Sequence, residues 1–539
     1  MPVDATKFTC WPADSLVKVF SDARTESVAD VIAADACRNE FTSAQLAVRA
    51  SQRLSDLRVS VSPLKHAETG ATGVEVSARF VGQVPVKSNT PDTPAGELIC
   101  KAPCLAPDPL LPDETIAVDA GETQPVWLTI FVPPDAPAGQ WRGTATVSAD
   151  GARAEVPVAL TVHPVTLPDE RKLWVTNWMN LHNFASHYGT ELYSDRFWQV
   201  IEAYAGNMGA HRQNVVLCPN DLIHIHQEPD GRLTFGYADY DRWLGIFDRA
   251  GCAKLIEGGH LGRRGEGKWE TPWFEWRGFK VRRRDGAEVQ LDPEMVVREL
   301  VKSLVGHVKD RGWWERFVLH VVDEPAPHTE EDYRKKVKLV REWAPGVRLV
   351  EAMSLMDARE LLDVWVPQLS HFHEHEENYL RMRDEAGIEL WFYTCMFPTG
   401  LYPNRFLDFS LLKTRILHWI NWRYRLPGYL HWGLNFWTSD PFNDDRSRED
   451  LPPGDCWIVY PGKEGPVDSI RWEQMREGIQ DYELLRLLDE RAREKGRLSA
   501  RADDICAGLV PDPVSYSRSH QDLRAARQAV IAALIELGE

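Results

Sequence analysis

The sequence predicts a multidomain protein of mixed β and α/β class: an N-terminal β-sandwich, a (β/α)8 TIM-type barrel and C-terminal helices packed on the barrel. Three observations carry that expectation. Short alternating apolar and polar runs, separated by Pro, Gly and Asp turns, fill residues 1 to about 165. After Pro168 the pattern changes to apolar strand, loop and amphipathic helix, repeated. That repeat supplies eight strand candidates, the number a closed barrel needs. At 539 residues the chain exceeds one ordinary domain, and the expected limits are 1–165, 170–485 and 486–539.

In the N-terminal part the alternating runs lie at 45–49, 58–62, 74–80, 126–132, 141–147 and 154–162. Pro133 to Gly139 is rich in turn residues, and Pro164 and Pro168 mark a linker. Barrel strands are expected at 173–178, 213–218, 253–257, 317–322, 348–352, 363–368, 389–394 and 428–436. Phe197, Val200, Ile201, Tyr204 and Met208 recur at helical spacing between the first two strands, as do Val297, Leu300, Leu304 and Val308 before the fourth. The loops after the second and third strands are long. The first carries His224 and His226, the second Trp269, Trp273 and Trp276, and long βα loops build an active-site rim. Met475, Ile479, Tyr482 and Leu485 form a stripe on a C-terminal helix, and two more helices follow near 502–509 and 522–537.

The most informative segment is Phe317-Val-Leu-His-Val-Val-Asp323-Glu324-Pro325. A β-branched run reads as a buried parallel strand. Pro325 lacks an N–H and keeps Glu324 out of the right-handed helical region, so the strand is expected to stop there. Asp323 and Glu324 then stand at a strand's C-terminal edge, where barrel enzymes keep their chemistry. Two adjacent carboxylates do not ionise independently; driving one towards its neutral form makes a general acid.

The net charge of −18 argues against nucleic acid and anionic membrane as partners, and no apolar run approaches a membrane span. The opening residues MPVDATKFTC show neither a basic nor an apolar leader region, and the nine cysteines are scattered without a C-x-x-C. Reduced thiols and a cytoplasmic protein are expected. His371, His373 and His375, like His224 and His226, have strand-face spacing, but no H-E-x-x-H accompanies them. Neither metal nor cofactor is expected, and His373 is read as a ligand for a sugar hydroxyl. Of the 21 tryptophans, 18 follow residue 165. Trp178, Trp391, Trp432 and Trp437 cluster at expected strand ends, where flat apolar faces suit the C–H faces of sugar rings.

The chain resembles glycoside hydrolase family 123, β-N-acetylgalactosaminidases with a β-sandwich before a catalytic barrel. The residues that carry the resemblance are Arg38-Asn-Glu-Phe41 with Gln45, Val132-Pro-Pro-Asp-Ala-Pro-Ala-Gly139, Asp323-Glu324-Pro325, and Tyr402-Pro-Asn-Arg-Phe406 with Asp408. Gly428-Tyr-Leu-His-Trp-Gly-Leu-Asn435 with Trp437, Gly454 to Gly462, Ser469-Ile-Arg471 and Arg476 to Tyr482 complete the set. The resemblance implies hydrolysis of terminal β-linked GalNAc with retention, the substrate's own 2-acetamido group serving as nucleophile. It makes Glu324 the acid and base, and Asp323 the residue that orients the acetamido group.

Further residues are expected to touch sugar: Tyr393, Asn435, Trp437, Trp391, His373, Trp178 and Asn404. The partner is a carbohydrate, a glycan or glycolipid carrying a β-linked N-acetylhexosaminide; no oligomeric state is expected over another. Two rivals remain open at this level. One is a glycosidase of the same fold for GlcNAc or a sugar without the acetamido group, with Glu257 as the alternative nucleophile. The other is a non-catalytic carbohydrate-binding protein.

Overall fold

The computed structural model describes residues 3–4, 7–25, 30–357, 359–496 and 500–538. Part of the C-terminal segment expected at 486–539, residues 497–499 and 539, lies outside the described residues. The chain divides into two compact units. One comprises Met1–Leu173, Thr399–Arg425 and Gly433–Glu539, the other Trp174–Pro398 and Leu426–Trp432. Among the described residues no helix is long and apolar enough to cross a membrane.

In the first unit the alternating runs become two sheets. One is antiparallel, in the order Val3–Asp4, Phe8–Ala13, Glu40–Ala50, Thr123–Val132, Glu75–Val86 and Cys104–Leu111. The other runs Ile32–Arg38, Ala152–Thr166, Gly139–Ala149, Leu54–Val61 and Ile116–Val118, with Lys65–His66 beside Gly139–Ala149. Period-two alternation sends Leu46, Val48, Leu128 and Ile130 from one sheet, and Val147, Val156, Val158 and Leu160 from the other, into one apolar cluster around Trp141.

Helices Leu411–Arg423, Ile470–Glu494, Ala500–Leu509 and His520–Leu537 complete this unit. Helix Ile470–Glu494 is buried along most of its length, charged residues included. Buried charges need partners, and here they have them. Arg471 meets Asp108 at 2.8 Å, Arg415 meets Asp481 at 2.7 Å, and Arg527 meets Glu40 at 2.7 Å. One expectation is corrected: Cys100 and Cys104, four residues apart in a turn, are joined by a disulfide, while seven cysteines stay free.

The second unit holds the strand–helix repeat. Its parallel strands are Trp174–Asn177, Val215–Cys218, Leu255–Gly258, Phe317–Leu319, Val350–Ala352, Val364–Val366, the broken segment Glu389–Leu390 with Phe392–Tyr393, and Gly428–His431. They hydrogen-bond in three sheets: the first, last and Phe392–Tyr393 strands; the second to fourth; and the fifth, sixth and Glu389–Leu390. Helices Asp195–Ala210, Ala238–Arg249, Pro293–Asp310, Glu330–Trp343 and Glu376–Ala386 lie between strands in the sequence. The two long loops form extra β-structure. His224–Gln227 and Leu233–Gly236 join Val281–Arg283 and Glu288–Val289 in a four-stranded sheet, and Gly262–Arg264 pairs with Phe274–Trp276.

Candidate active site

The fourth strand ends earlier than its sequence suggests, and the cause is a distant acid. After Leu319 the amides of Val321 and Val322 leave the sheet and donate to Oε2 of Glu351, at 3.1 Å each. Glu351 belongs to the next strand and is fully buried. It therefore holds the turn that presents Asp323 and Glu324, three residues before Pro325 could act. Glu324 itself adopts the left-handed conformation, φ 47°. Pro325 excludes the right-handed region as expected, but the residue goes to the sparsely populated left-handed one rather than to extended backbone. Backbone strain of this kind costs about 1–3 kcal/mol and gathers at functional sites.

Tyr393, ending the seventh strand, donates its hydroxyl to Oε1 of Glu324 at 2.5 Å. Arg264, on the first strand of the rim hairpin, donates to the backbone carbonyl of Glu324 at 2.7 Å. Burial raises the Glu324 carboxyl to about 7, the negative charge of Asp323 adds to the rise, and Tyr393 and Arg264 oppose it. The Asp323 side chain is 57% exposed. Burial pushes the Asp323 carboxyl upward too, against the pull of His320, Arg264 and Arg277, but its solvent exposure weakens that push, so Glu324 is the member of the pair that holds a proton more readily.

Beneath the pair lies a buried charge relay that sequence reasoning missed as a unit. His320 has no solvent exposure; its Nδ1 is 3.1 Å from Oε1 of Glu351 and its Nε2 is 3.7 Å from Oε1 of Glu257. Burial alone would strip its proton, but the two flanking carboxylates win and raise the ring to about 9. Burial carries the Glu351 carboxyl up to about 7, against the pull of His320. His260 stacks on His320 at 4.4 Å, and its Nε2 is 3.9 Å from Oδ1 of Asp323. Burial and the charge on His320 hold His260 well below its usual range, so it is neutral. His260, His320 and Glu351 bring one donor atom each within 4.8 Å of one another, as a metal site would. In the described structure His320 faces a carboxylate through each nitrogen, Glu351 from Nδ1 and Glu257 from Nε2. The signal was present in the sequence: Glu257 and Glu351 are the polar residues in otherwise apolar strands, and His320 directly follows the strand Phe317–Leu319.

The structure brings Asp323, Glu324 and Tyr393 together and places Trp178 beneath them. Trp178 is mostly buried, donates its indole N–H to Oε2 of Glu257 at 3.1 Å, and sets its edge against His260 and His320. Other expectations change. Trp391 is fully buried against Gly428 and donates to Glu389 at 2.7 Å, so it is wall filling and no sugar platform. His373 lies half-buried in the short helix Leu369–Glu374, so the spacing of His371, His373 and His375 places them on no common strand face. Asn404, Asn435 and Trp437 belong to the first unit. No solvent reaches Asn404 or Asn435, so neither offers a surface to a ligand there, and Trp437 spends its indole N–H on the carbonyl of Val459 at 2.7 Å.

A carboxyl that keeps its proton near neutral pH, beside a solvent-facing carboxylate at the end of a parallel strand, is equipped to protonate a leaving oxygen and to stabilise nearby positive charge. Those are the demands of glycoside hydrolysis. The model of the glycoside hydrolase 123 catalytic domain matches residues 178–488, and that of the glycoside hydrolase 123 N-terminal domain matches 18–149. The chain belongs to glycoside hydrolase family 123. Among solved structures it is similar to a family 123 glycoside hydrolase from Clostridium perfringens, described for glycolipid glycan hydrolysis. The TM-score is 0.76 at 15% identity, over 99% of this chain and 97% of that one. An endo-β-1,4-mannanase from Thermotoga petrophila is matched at a TM-score of 0.34 and 12% identity, over 59% of this chain and 77% of that one. No curated protein matches the sequence.

Proposed function

We propose that this glycoside hydrolase is an exo-acting, retaining β-N-acetylgalactosaminidase that works by substrate-assisted catalysis. Glu324 donates its proton to the glycosidic oxygen as the bond to the anomeric carbon breaks. The carbonyl oxygen of the substrate's 2-acetamido group bonds to that carbon from the opposite face. Asp323 accepts a hydrogen bond from the acetamido N–H and stabilises the positive oxazolinium. Water then attacks the anomeric carbon, Glu324 takes its proton, and the acetamido group is released with net retention. The intramolecular nucleophile acts at high effective concentration, and the neighbouring carboxylate is strongest when charge develops.

One observation carries the choice of mechanism. Glu257, the alternative nucleophile, is fully buried; its Oε2 accepts from Thr176 at 2.8 Å and from Trp178, and its Oε1 faces the His320 imidazolium. Glu351 is buried and occupied in the same way. Neither is free to attack a sugar, and an acetamido nucleophile removes the need. The preference for GalNAc rests on the sequence resemblance, and a glycolipid glycan as natural substrate rests on what the Clostridium perfringens structure is described as hydrolysing.

A closed eightfold barrel belongs to the same proposal. It is supported by one apolar cluster that draws buried residues from seven of the strands, Val215, Leu255, Val318, Val350, Val364, Tyr393 and Leu430 among them, with Trp174 of the first strand packed against it. A parallel bridge between Leu319 and Leu349 links two of the sheets. A cytoplasmic setting is supported by the seven free thiols and opposed by the Cys100–Cys104 bond.

The test is hydrolysis of 4-nitrophenyl β-glycosides of GalNAc, GlcNAc, galactose and glucose by wild type, Glu324→Gln and Asp323→Asn. Activity confined to acetamido sugars, highest on GalNAc, and lowered at least about 100-fold in both variants is expected. Turnover of galactose or glucose would sink the acetamido mechanism. A faster GlcNAc rate would move the specificity alone.

A further inference from the structure

Two of the rim tryptophans are unlike the others in this unit. Trp269 is 52% exposed and Trp273 is 41% exposed, whereas Trp276 in the same hairpin is packed beside Trp343 and Lys336. Exposed indoles offer flat apolar faces on which a sugar ring can stack. The segment bearing them is hydrogen-bonded to its neighbours at several points. Gly262 donates to the carbonyl of Val321 at 2.8 Å, Phe274 donates its N–H to Asp332 at 2.7 Å, and His328 Nε2 lies 2.9 Å from the carbonyl of Trp269. Gly265 lets Trp273 lie directly on the backbone: a Cβ there would stand 2.4 Å from the indole nitrogen. These hydrogen bonds tie the hairpin to the rest of its unit, and an aromatic surface ordered before binding carries a smaller ordering cost.

The link to the acid pair is a single side chain. Arg264 stacks its guanidinium on Trp269 at 4.2 Å and on Phe274 at 4.8 Å, and the same guanidinium donates to the carbonyl of Glu324. Arg264 thus covers part of Trp269, the His328 ring packs against it at 5.8 Å, and about half of the residue remains exposed. Glu324 is the group given to the departing oxygen, and one guanidinium joins its backbone to the exposed aromatic surface. We propose that Trp269 and Trp273 form the platform for the leaving sugar, which makes this an enzyme for terminal sugars carried on a further pyranose ring rather than on a small alcohol. The inference rests on the roles given to Asp323 and Glu324. A pyranose fits such a platform because its axial C–H bonds stack on an indole while its hydroxyls stay in water.

The experiment compares kcat/KM for methyl β-N-acetylgalactosaminide with that for the same sugar β-linked to lactose. Both have alkoxide leaving groups, so the ratio reports what the extra rings gain by binding. Wild type is expected to favour the lactoside. In Trp269→Ala and in Trp273→Ala that preference falls about tenfold, and Trp269→Phe restores part of it. A preference within twofold of wild type in both alanine variants overturns the platform. Should wild type cleave neither glycoside, the functional reading fails separately, and calorimetric titration with lactose judges the platform alone. Lactose binding lost in Trp269→Ala supports it, and absence of lactose binding by wild type overturns it.

Discussion

Glu324 is governed by two neighbours that pull in opposite directions, and this makes its role measurable. In the proposed mechanism activity requires the protonated acid, so the alkaline limb of kcat/KM is expected near pH 7. Tyr393 donates to the carboxylate and favours the charged form. In Tyr393→Phe the Glu324 carboxyl rises, and the alkaline limb moves to higher pH. Asp323 repels the charged form. In Asp323→Asn the Glu324 carboxyl falls, and the limb of the residual activity, read on a 4-nitrophenyl substrate, moves to lower pH. Shifts of the same sign in the two variants would remove Glu324 from the limb. The acid pair was legible in the sequence because two carboxylates and a proline interrupt an apolar run, a strictly local signal. The misread side chains failed for the opposite reason. Trp391, Asn404 and Asn435 are fully buried, and their own sequence neighbourhood does not report that.

At the scale of the element, the end of the fourth strand depends on a buried ion triad. Glu351 holds two amides of the turn, His320 neutralises Glu351, and Glu257 faces the other side of His320. Removing the cation leaves two buried carboxylates without a counter-charge, so His320→Ala is expected to cost about 3–5 kcal/mol in unfolding free energy. Pairing it with Glu351→Gln should recover part of that loss, since one uncompensated charge is gone; equal costs for the single and double variants would show that the three do not act together. The triad also predicts a pH dependence of stability. The His320 ring binds its proton more tightly folded, at about 9, than unfolded, near 6.5. Its contribution is therefore complete below about pH 6.5 and is lost as pH rises through 9. Thermal unfolding across pH 6 to 9.5 should show Tm falling over that window in wild type, and a smaller fall in the His320 variant. The expected strands fall on observed ones because β-branched runs and Pro/Gly turns are local signals. The strand ends moved, as at Leu319, where a side chain from the next strand replaced the ladder.

On the scale of the whole molecule, the N-terminal sheets are not self-sufficient within their own unit. Pro109, within strand Cys104–Leu111, bridges Ser469, and Leu98 bridges Phe409. Phe41 exchanges both backbone hydrogen bonds with the Gln480 side chain, at 3.0 and 2.7 Å. Asp108 is buried against Arg471, Glu40 against Arg527, and Asp408 accepts from Thr90. Many residues that carried the family resemblance outside the acid pair, Glu40, Phe41, Asp408, Arg471 and Gln480 among them, therefore join segments far apart in sequence; they read as motifs because they act in pairs, and a single sequence does not reveal the pairing. It follows that a fragment of residues 1–173, although it contains every strand of both sheets, should not fold cooperatively. It would bury Asp108 and Glu40 without their arginines, or expose the sheet face that helix Ile470–Glu494 covers. We expect the fragment to be insoluble or to unfold without a cooperative transition, and Arg471→Ala in the full chain to lose about 3–5 kcal/mol by denaturant titration. A soluble fragment with a sharp thermal transition would make the first 173 residues an independent domain. The ion pairs would then be fastenings added to a finished fold, and Arg471→Ala would lose far less.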